Sequence, residues 1–308
     1  NSIVCLLISL YAGTNSKKYK YYLFYLVTIL YLWVNQQEIL YSKRSSETTR
    51  DNFILNKKNI STSIPSKRKP LNDNQLGYYL AGLIDGNSSF NHNIIIPFSS
   101  KDKSAAYWLK SQIGYGTITT NNNNIHFIIS NSGGILRILK LINGKLKTEN
   151  KYKEIMRYII NKGIIEDEFI RGDKNDYNNY WLTGYIDSKG KLYIKINNKD
   201  IRLKIEIEEG EIEVLNGIRK YINGLNKPRL CIAEAGHELG CYINNFSLES
   251  TSFKFIKNLL LYLDKYPLIS FKYLNYIYIR KVYILIKDKK HLSKEGMERI
   301  REIKERIK

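Results

Sequence analysis

The chain is poor in the residues that staple or metallate small domains. It has three cysteines, Cys5, Cys231 and Cys241, and none has a Cys or His partner at a ligand spacing. That argues against a disulfide framework and for a reducing compartment. Cys231 and Cys241 can face each other across a hairpin as buried thiols with no further role. The four histidines (His92, His126, His237, His291) are scattered, so no zinc site is expected. Acidic side chains are outnumbered, 29 Asp and Glu against 49 Lys and Arg. Long apolar runs are also missing. The fullest, Tyr21 to Val34 (YYLFYLVTILYLWV), is broken by Thr28 and falls short of the roughly 20 residues that span a bilayer as a helix. Nothing beyond Arg50 is apolar enough to span, so a membrane enzyme is not expected.

What is present points to a polyanionic partner. A net charge of +20 attracts nucleic acid or anionic membrane. Counterion release would make nucleic-acid affinity fall steeply with salt. Apolar and aromatic residues make up 43% of the 308, enough for a core, and the length suits two ordinary domains or one large one with an extension. Abundant Asn, Ile, Lys and Tyr, with A/T-rich codons, suggest an AT-rich genome such as an organelle's. The chain opens on Asn1 and holds only Met156 and Met297, as a processed or trimmed product would.

Residues 1–70 stand apart. Tyr21 to Val34 has three open readings: a helix docked on the protein, an interfacial anchor, or the remnant of an upstream membrane segment. The docked helix is the expectation, and membrane contact through residues 1–34 stays open. Gln36 to Pro70 is mostly polar, ends in SIPSKRKP and reads as a linker.

From Asn72 the pattern is regular, and it occurs twice. A helix capped by Asp73 or Asn74 should run to about Gly86. Strands follow near Ser89–Phe98, then a helix over Lys103–Ile113, a strand pair around the asparagine turn, and helices near Gly134–Ile142 and Tyr152–Asn161. About 100 residues later the same order returns. It comprises a helix over Asn178–Asp187, strands at Lys191–Asn197 and Ile201–Glu208, and a helix over Ile212–Tyr221. A strand pair at Arg229–Ala233 and Leu239–Leu248 and a helix over Thr251–Asp264 complete it. The period implies two similar subdomains about a pseudo-twofold axis, at residues 71–165 and 166–308, joined through GIIEDEFIRGDKNDY.

Period-two alternation in KLYIKI and IRLKIEIE puts Lys191, Tyr193, Lys195, Arg202 and Lys204 on one wet face. Cations there would meet phosphates, and tyrosine offers a stacking surface; Glu206 and Glu208 on the same face favour a merely solvated sheet. Residues 272–308 carry a further excess of positive charge. In that segment Arg280, Lys281, Lys287, Lys289 and Lys290 are candidate phosphate contacts. Ser293 should cap a last helix with an apolar stripe of Met297, Ile300, Ile303 and Ile307.

Two runs carry a resemblance. LAGLIDGNS (Leu80–Ser88) and LTGYIDSKG (Leu182–Gly190) resemble the paired signature motifs of the LAGLIDADG family in its single-chain form. The segment from Tyr266 to Ile300 also resembles the end of many members, so the likeness covers about residues 72–304. The family comprises homing endonucleases and the RNA maturases of group I introns. It implies an α+β fold of two αββαββα subdomains, here with an N-terminal extension. Its motif helices would pack closely where Ala81, Gly82 and Gly184 leave room. In nuclease members the eighth motif position supplies an acid that holds a divalent cation. Here those positions are Asn87 and Lys189, so no catalytic residue and no metal are expected. Asp85 and Asp187, at the sixth position, are expected to make polar contacts at the helix ends, with a role as replacement ligands the minor alternative. The resemblance then implies a non-enzymatic maturase of the mitochondrial matrix that stabilises a group I intron RNA. Inner-membrane association and an additional splicing protein stay open, and Mg²⁺ would come with the RNA. The alternatives are an endonuclease with unusual ligands and a structural part of an organellar ribonucleoprotein.

Overall fold

The computed structural model describes residues 60–307 apart from 122–123, 164–168, 198–199, 209–210, 224–229 and 232–246. The apolar N-terminal run, Cys5, Cys241, His237 and the expected strand over 239–246 lie outside the described residues.

The first repeat begins with helix α1 (Asp73–Gly86). Its cap is Asn72, one residue before the expected ones. The Asn72 side chain accepts from Gln75 N at 2.9 Å, and Gln75 Oε1 accepts from Leu71 N at 2.9 Å. Asp73 is drawn away by Arg137, 2.7 Å distant. Strands β1 (Ser89–Phe90) and β2 (Ile94–Ser99), helix α2 (Lys103–Ile113), strands β3 (Thr117–Asn121) and β4 (Asn124–Ile129) and helices α3 (Ser132–Ile142) and α4 (Glu149–Asn161) follow. Gly114, at φ +80°, ends α2 in the left-handed conformation that glycine tolerates.

The second repeat runs α5 (Trp181–Lys189), β5 (Gly190–Asn197), β6 (Asp200–Ile207), α6 (Ile212–Asn223), β7 (Leu230–Cys231), β8 (Ser247–Ser250) and α7 (Phe253–Lys265). Helix α5 starts three residues later than expected. The Asn179 side chain is tied into a turn, accepting from Trp181 N and donating to Asp176 O. Helices α8 (Lys272–Lys287) and α9 (Lys294–Arg306) close the chain, and Ser293 caps α9 by accepting from Gly296 N.

Each repeat builds an antiparallel four-stranded sheet, and the orders match: β1-β2-β4-β3 and β5-β6-β8-β7. One face of each sheet is buried, by Ile94, Ile96, Phe98, Ile125, Phe127 and Ile129 in the first. Leu192, Ile194, Leu203, Ile205 and Ile207 do the same in the second. Each such side chain contributes about 1.5–3 kcal/mol by leaving water.

Helices α1 and α5 pack along each other with almost no side chain between them. A Cβ added to Gly82 would stand 1.9 Å from the Trp181 carbonyl oxygen; on Gly184 it would stand 2.1 Å from that of Tyr79. Ala81 beside them is fully buried. The reciprocity of the two contacts marks the pseudo-twofold axis and aims both helix C-termini at the same place.

Candidate nucleic-acid interface

The two tips meet there. Asn87 closes α1, its N–H donating to Leu83 O, and its side chain is exposed. Lys189 is the half-buried last residue of α5. A Cβ on Gly86 would lie 2.5 Å from the Ser188 side chain, so the ends are in near contact. A cleft of about 680 Å³ opens beside them, lined among others by Asn87, Lys189, Lys191, Tyr193, Glu208 and Lys272.

Lys272, which sequence reasoning missed, reinforces the charge at this spot. Its ammonium donates to the carbonyl oxygens of Ile186, Asp187 and Ser188 at 3.0, 2.8 and 3.3 Å, capping the negative end of α5. Burial lowers its pKa, and the charges of Asp187 and Asp102 oppose that. Position in α8 gave no local signal, because the lysine serves a helix more than eighty residues upstream.

The sixth-position aspartates point inward, and each takes a proton donor from the opposite motif helix. Asp85 accepts from Trp181 Nε1 at 2.7 Å, Lys147 N at 2.8 Å, and Thr148 N and Oγ1. Asp187 accepts from Tyr79 Oη at 3.0 Å, Ile269 N at 2.9 Å, and Ser270 N and Oγ. Burial pushes the Asp85 carboxyl up to about 6 against the pull of those hydrogen bonds, and it raises Asp187 likewise. These two carboxylates lock the helix ends together.

A divalent cation, the group the family implies, does not fit this donor set. Asn87 offers one neutral oxygen, while Lys189 and Lys272 bring ammonium groups. The cleft's carboxylate, Glu208, is held by Lys191 at 2.6 Å. Hard cations need several oxygen ligands carrying negative charge.

The sheet faces differ from expectation. Lys204 is not a wet-face cation. It is 6% exposed, 2.6 Å from Glu249 and 3.5 Å from Glu206. Burial works against its charge, yet Glu249, Tyr193 and Glu206 together hold its pKa above the usual lysine range. Tyr193 donates to Glu206 at 2.7 Å, and Arg202 pairs with Asp200 at 2.7 Å. Lys195 stays exposed, with its ammonium 5.7 Å from the Tyr193 ring centroid. The platform is therefore largely self-neutralised. Register explains it: Lys191 stands opposite Glu206, Tyr193 opposite Lys204, and Glu206 opposite Glu249.

The first sheet is plainer. Residues 86–100 and 111–136 contain no Lys, Arg, Asp or Glu. Pro97 faces His126, Ile95 faces Ile128 and Ser99 faces Asn124 across β2 and β4, giving an uncharged outer face. The charge gap was visible in the sequence.

Arg280 is also not an unpaired phosphate contact. It is 1% exposed and donates to both oxygens of Asp264, at 3.2 and 3.3 Å; Tyr276 donates to the same carboxylate. Its place on the buried side of α8, between Ile279 and Val282, explains the error. Lys281, Lys287, Lys289 and Lys290 are exposed, and among the described residues they make no ion pair.

Paired helices with near-touching tips above two equivalent sheets define a class, and comparison with known proteins agrees. This chain belongs to the LAGLIDADG family. The family model described as LAGLIDADG endonuclease matches residues 182–283. A Schizosaccharomyces pombe protein described as an uncharacterized cox1 intron-2 37.2 kDa protein is 35% identical over 97% of this chain and 97% of its own length. A Neurospora crassa protein described as a probable intron-encoded endonuclease 4 is 23% identical over 83% of this chain and 48% of its own. Among solved structures, the LAGLIDADG meganuclease I-AabMI, bound to uncleaved DNA, superposes with a TM-score of 0.60 at 18% identity. The match covers 75% of this chain and 99% of that one. At this identity the likeness shows the fold alone.

Among the described residues no helix is long and apolar enough to cross a membrane.

Proposed function

We propose that the protein is an intron-encoded splicing maturase. It binds a group I intron RNA, favours the folded arrangement over misfolded ones, and leaves the chemistry to the RNA. One observation carries the reading. At the paired motif-helix tips, where a nuclease relative needs two carboxylates, this chain presents an amide and an ammonium group, with Lys272 behind them and both neighbouring aspartates engaged inside. The surplus of positive charge persists without a metal site, and it suits a phosphate-rich partner. A protein shifts an RNA folding equilibrium only through its differential affinity for the two states. The cox1-intron origin of the Schizosaccharomyces pombe relative makes a mitochondrial intron the natural partner and the mitochondrion the natural compartment.

Transcribing the intron whose reading frame encodes this chain, and following its splicing at limiting Mg²⁺ with and without protein, tests the proposal. Faster or more complete splicing is expected; no change across a protein titration contradicts it. A second reading, a DNA homing endonuclease, is favoured by the description of the Neurospora crassa relative. Specific cleavage of DNA carrying the intron-insertion site would select it.

A further inference from the structure

A second cleft, of about 630 Å³, lies between β1 and α4, on the first repeat and apart from the sheet faces. Its floor is aromatic: the rings of Phe90 and Tyr158 meet edge to face with centroids 5.7 Å apart. Asn91, His92, Arg157, Asn161 and Lys162 stand exposed at its rim. The carboxylate in the cleft, Glu154, is already taken by Phe90 N at 2.9 Å and Lys151 at 2.6 Å, so it leaves the rim cations uncompensated. Arg157 and Lys162 make no ion pair among the described residues. The Lys162 ammonium lies 5.9 Å from the Tyr158 ring centroid.

One polar group in this cleft has nothing to do. Tyr158 is 2% exposed, and its hydroxyl is buried with no hydrogen-bond partner. Burial raises its pKa, so the hydroxyl stays protonated. Buried hydroxyls are almost always paired, and an orphan on the wall of an open cleft marks a place where a partner is missing. The pieces have distinct uses. An apolar aromatic floor accepts the face or edge of a planar ring. Two amides and an imidazole offer donors and acceptors to a base edge, and a guanidinium and an ammonium group meet a phosphate.

We propose that this cleft seats a single unstacked nucleotide of a single-stranded RNA segment, its base on Phe90 and Tyr158 and its phosphate between Arg157 and Lys162. The volume lies within the range of ligand pockets, and it admits one splayed base but not a stacked pair. The inference rests on RNA being the partner and adds where an unpaired strand would be gripped. A duplex, whose bases remain inside the stack, gains nothing from the cleft.

The test uses the full chain and three probes: a fluorescein-labelled 12-nucleotide single-stranded RNA, the same strand in a blunt duplex, and uridine monophosphate. Binding is followed by anisotropy, with thermal melting as the check on folding. Arg157→Glu with Lys162→Glu should weaken single-strand binding about tenfold at unchanged melting temperature, with duplex binding changed far less. Tyr158→Phe keeps the ring and removes the orphan hydroxyl. It should weaken single-strand binding several-fold without destabilising the protein, since the hydroxyl bonds to nothing in the free chain. Single-strand affinity within twofold of wild type in the double variant overturns the cleft. Displacement of the oligonucleotide by an equal concentration of uridine monophosphate overturns the choice of an RNA chain over a free nucleotide. A wild-type chain that binds no RNA at all instead sinks the maturase reading beneath both.

Discussion

Alanine at position 82 is a small change with a large expected consequence. The new methyl carbon would sit 1.9 Å from the Trp181 carbonyl oxygen and 2.8 Å from Tyr185 N, both backbone atoms of α5. Non-bonded heavy atoms settle at about 3.5 Å, so the motif helices must separate by roughly 1.5 Å or slide past each other. Overpacking of this kind typically costs about 1–3 kcal/mol. The same separation stretches the 2.7 Å bond from Trp181 Nε1 to Asp85 towards 4 Å, removing a hydrogen bond to a charged group worth about 1.5–3 kcal/mol. Together these give roughly 3–6 kcal/mol. For a folded unit of this size that corresponds to a fall in Tm of about 10–20 °C. Circular dichroism melts of wild type, Gly82→Ala and Gly184→Ala read this directly, and the two variants should behave alike because their contacts are reciprocal. A Tm within 2 °C of wild type in either would refute the close backbone packing on which the placement of Asn87 and Lys189 depends.

The Asp85 carboxyl is more readily protonated in the folded chain, at about 6 against an ordinary 3.8, so the folded state holds the extra proton between those values. Stability should therefore fall as pH rises from about 4 to about 6, by up to roughly 3 kcal/mol, and Asp85→Asn should flatten the slope in urea titrations. An identical slope in the variant would contradict the assignment. Arg280→Met leaves Asp264 without its charge partner and should destabilise the chain by about 3 kcal/mol while leaving RNA affinity unchanged. Loss of RNA binding without loss of stability would return Arg280 to the surface. Lys204→Glu should lower thermal stability, since it places a third carboxylate against Glu206 and Glu249. Lys195→Glu should leave stability intact. Equal melting temperatures for the two would show that Lys204 is not buried in its ion pairs.

The fold was legible because its signals are periodic and local. Alternation in KLYIKI and IRLKIEIE placed β5 and β6 to within a residue, and Gly114 after an apolar-faced run marked the end of α2. The paired motifs identified the helices on the axis through their glycines. What stayed hidden depended on partners distant in sequence. Arg280 and Lys204 read as solvated cations because nothing nearby in the chain announces Asp264 or Glu249. The same holds for Lys272, whose acceptors are carbonyl oxygens 84 to 86 residues away. The Asn72 cap was missed by one residue because Asp73 and Asn74 are equally good capping types, and only the ion pair with Arg137 separates them. The orphaned Tyr158 hydroxyl has no sequence signature at all, since being unpaired is a property of the packed molecule.

Whether the helix tips can sever a strand is best settled by incubating the purified chain with Mg²⁺, and separately with Mn²⁺, on DNA spanning the insertion site of its own intron. The account predicts intact duplex at every protein concentration, for the wild type as much as for Asn87→Ala. A double-strand break made by the wild type and abolished by Asn87→Ala would show that an amide among ammonium groups can hold the ion after all.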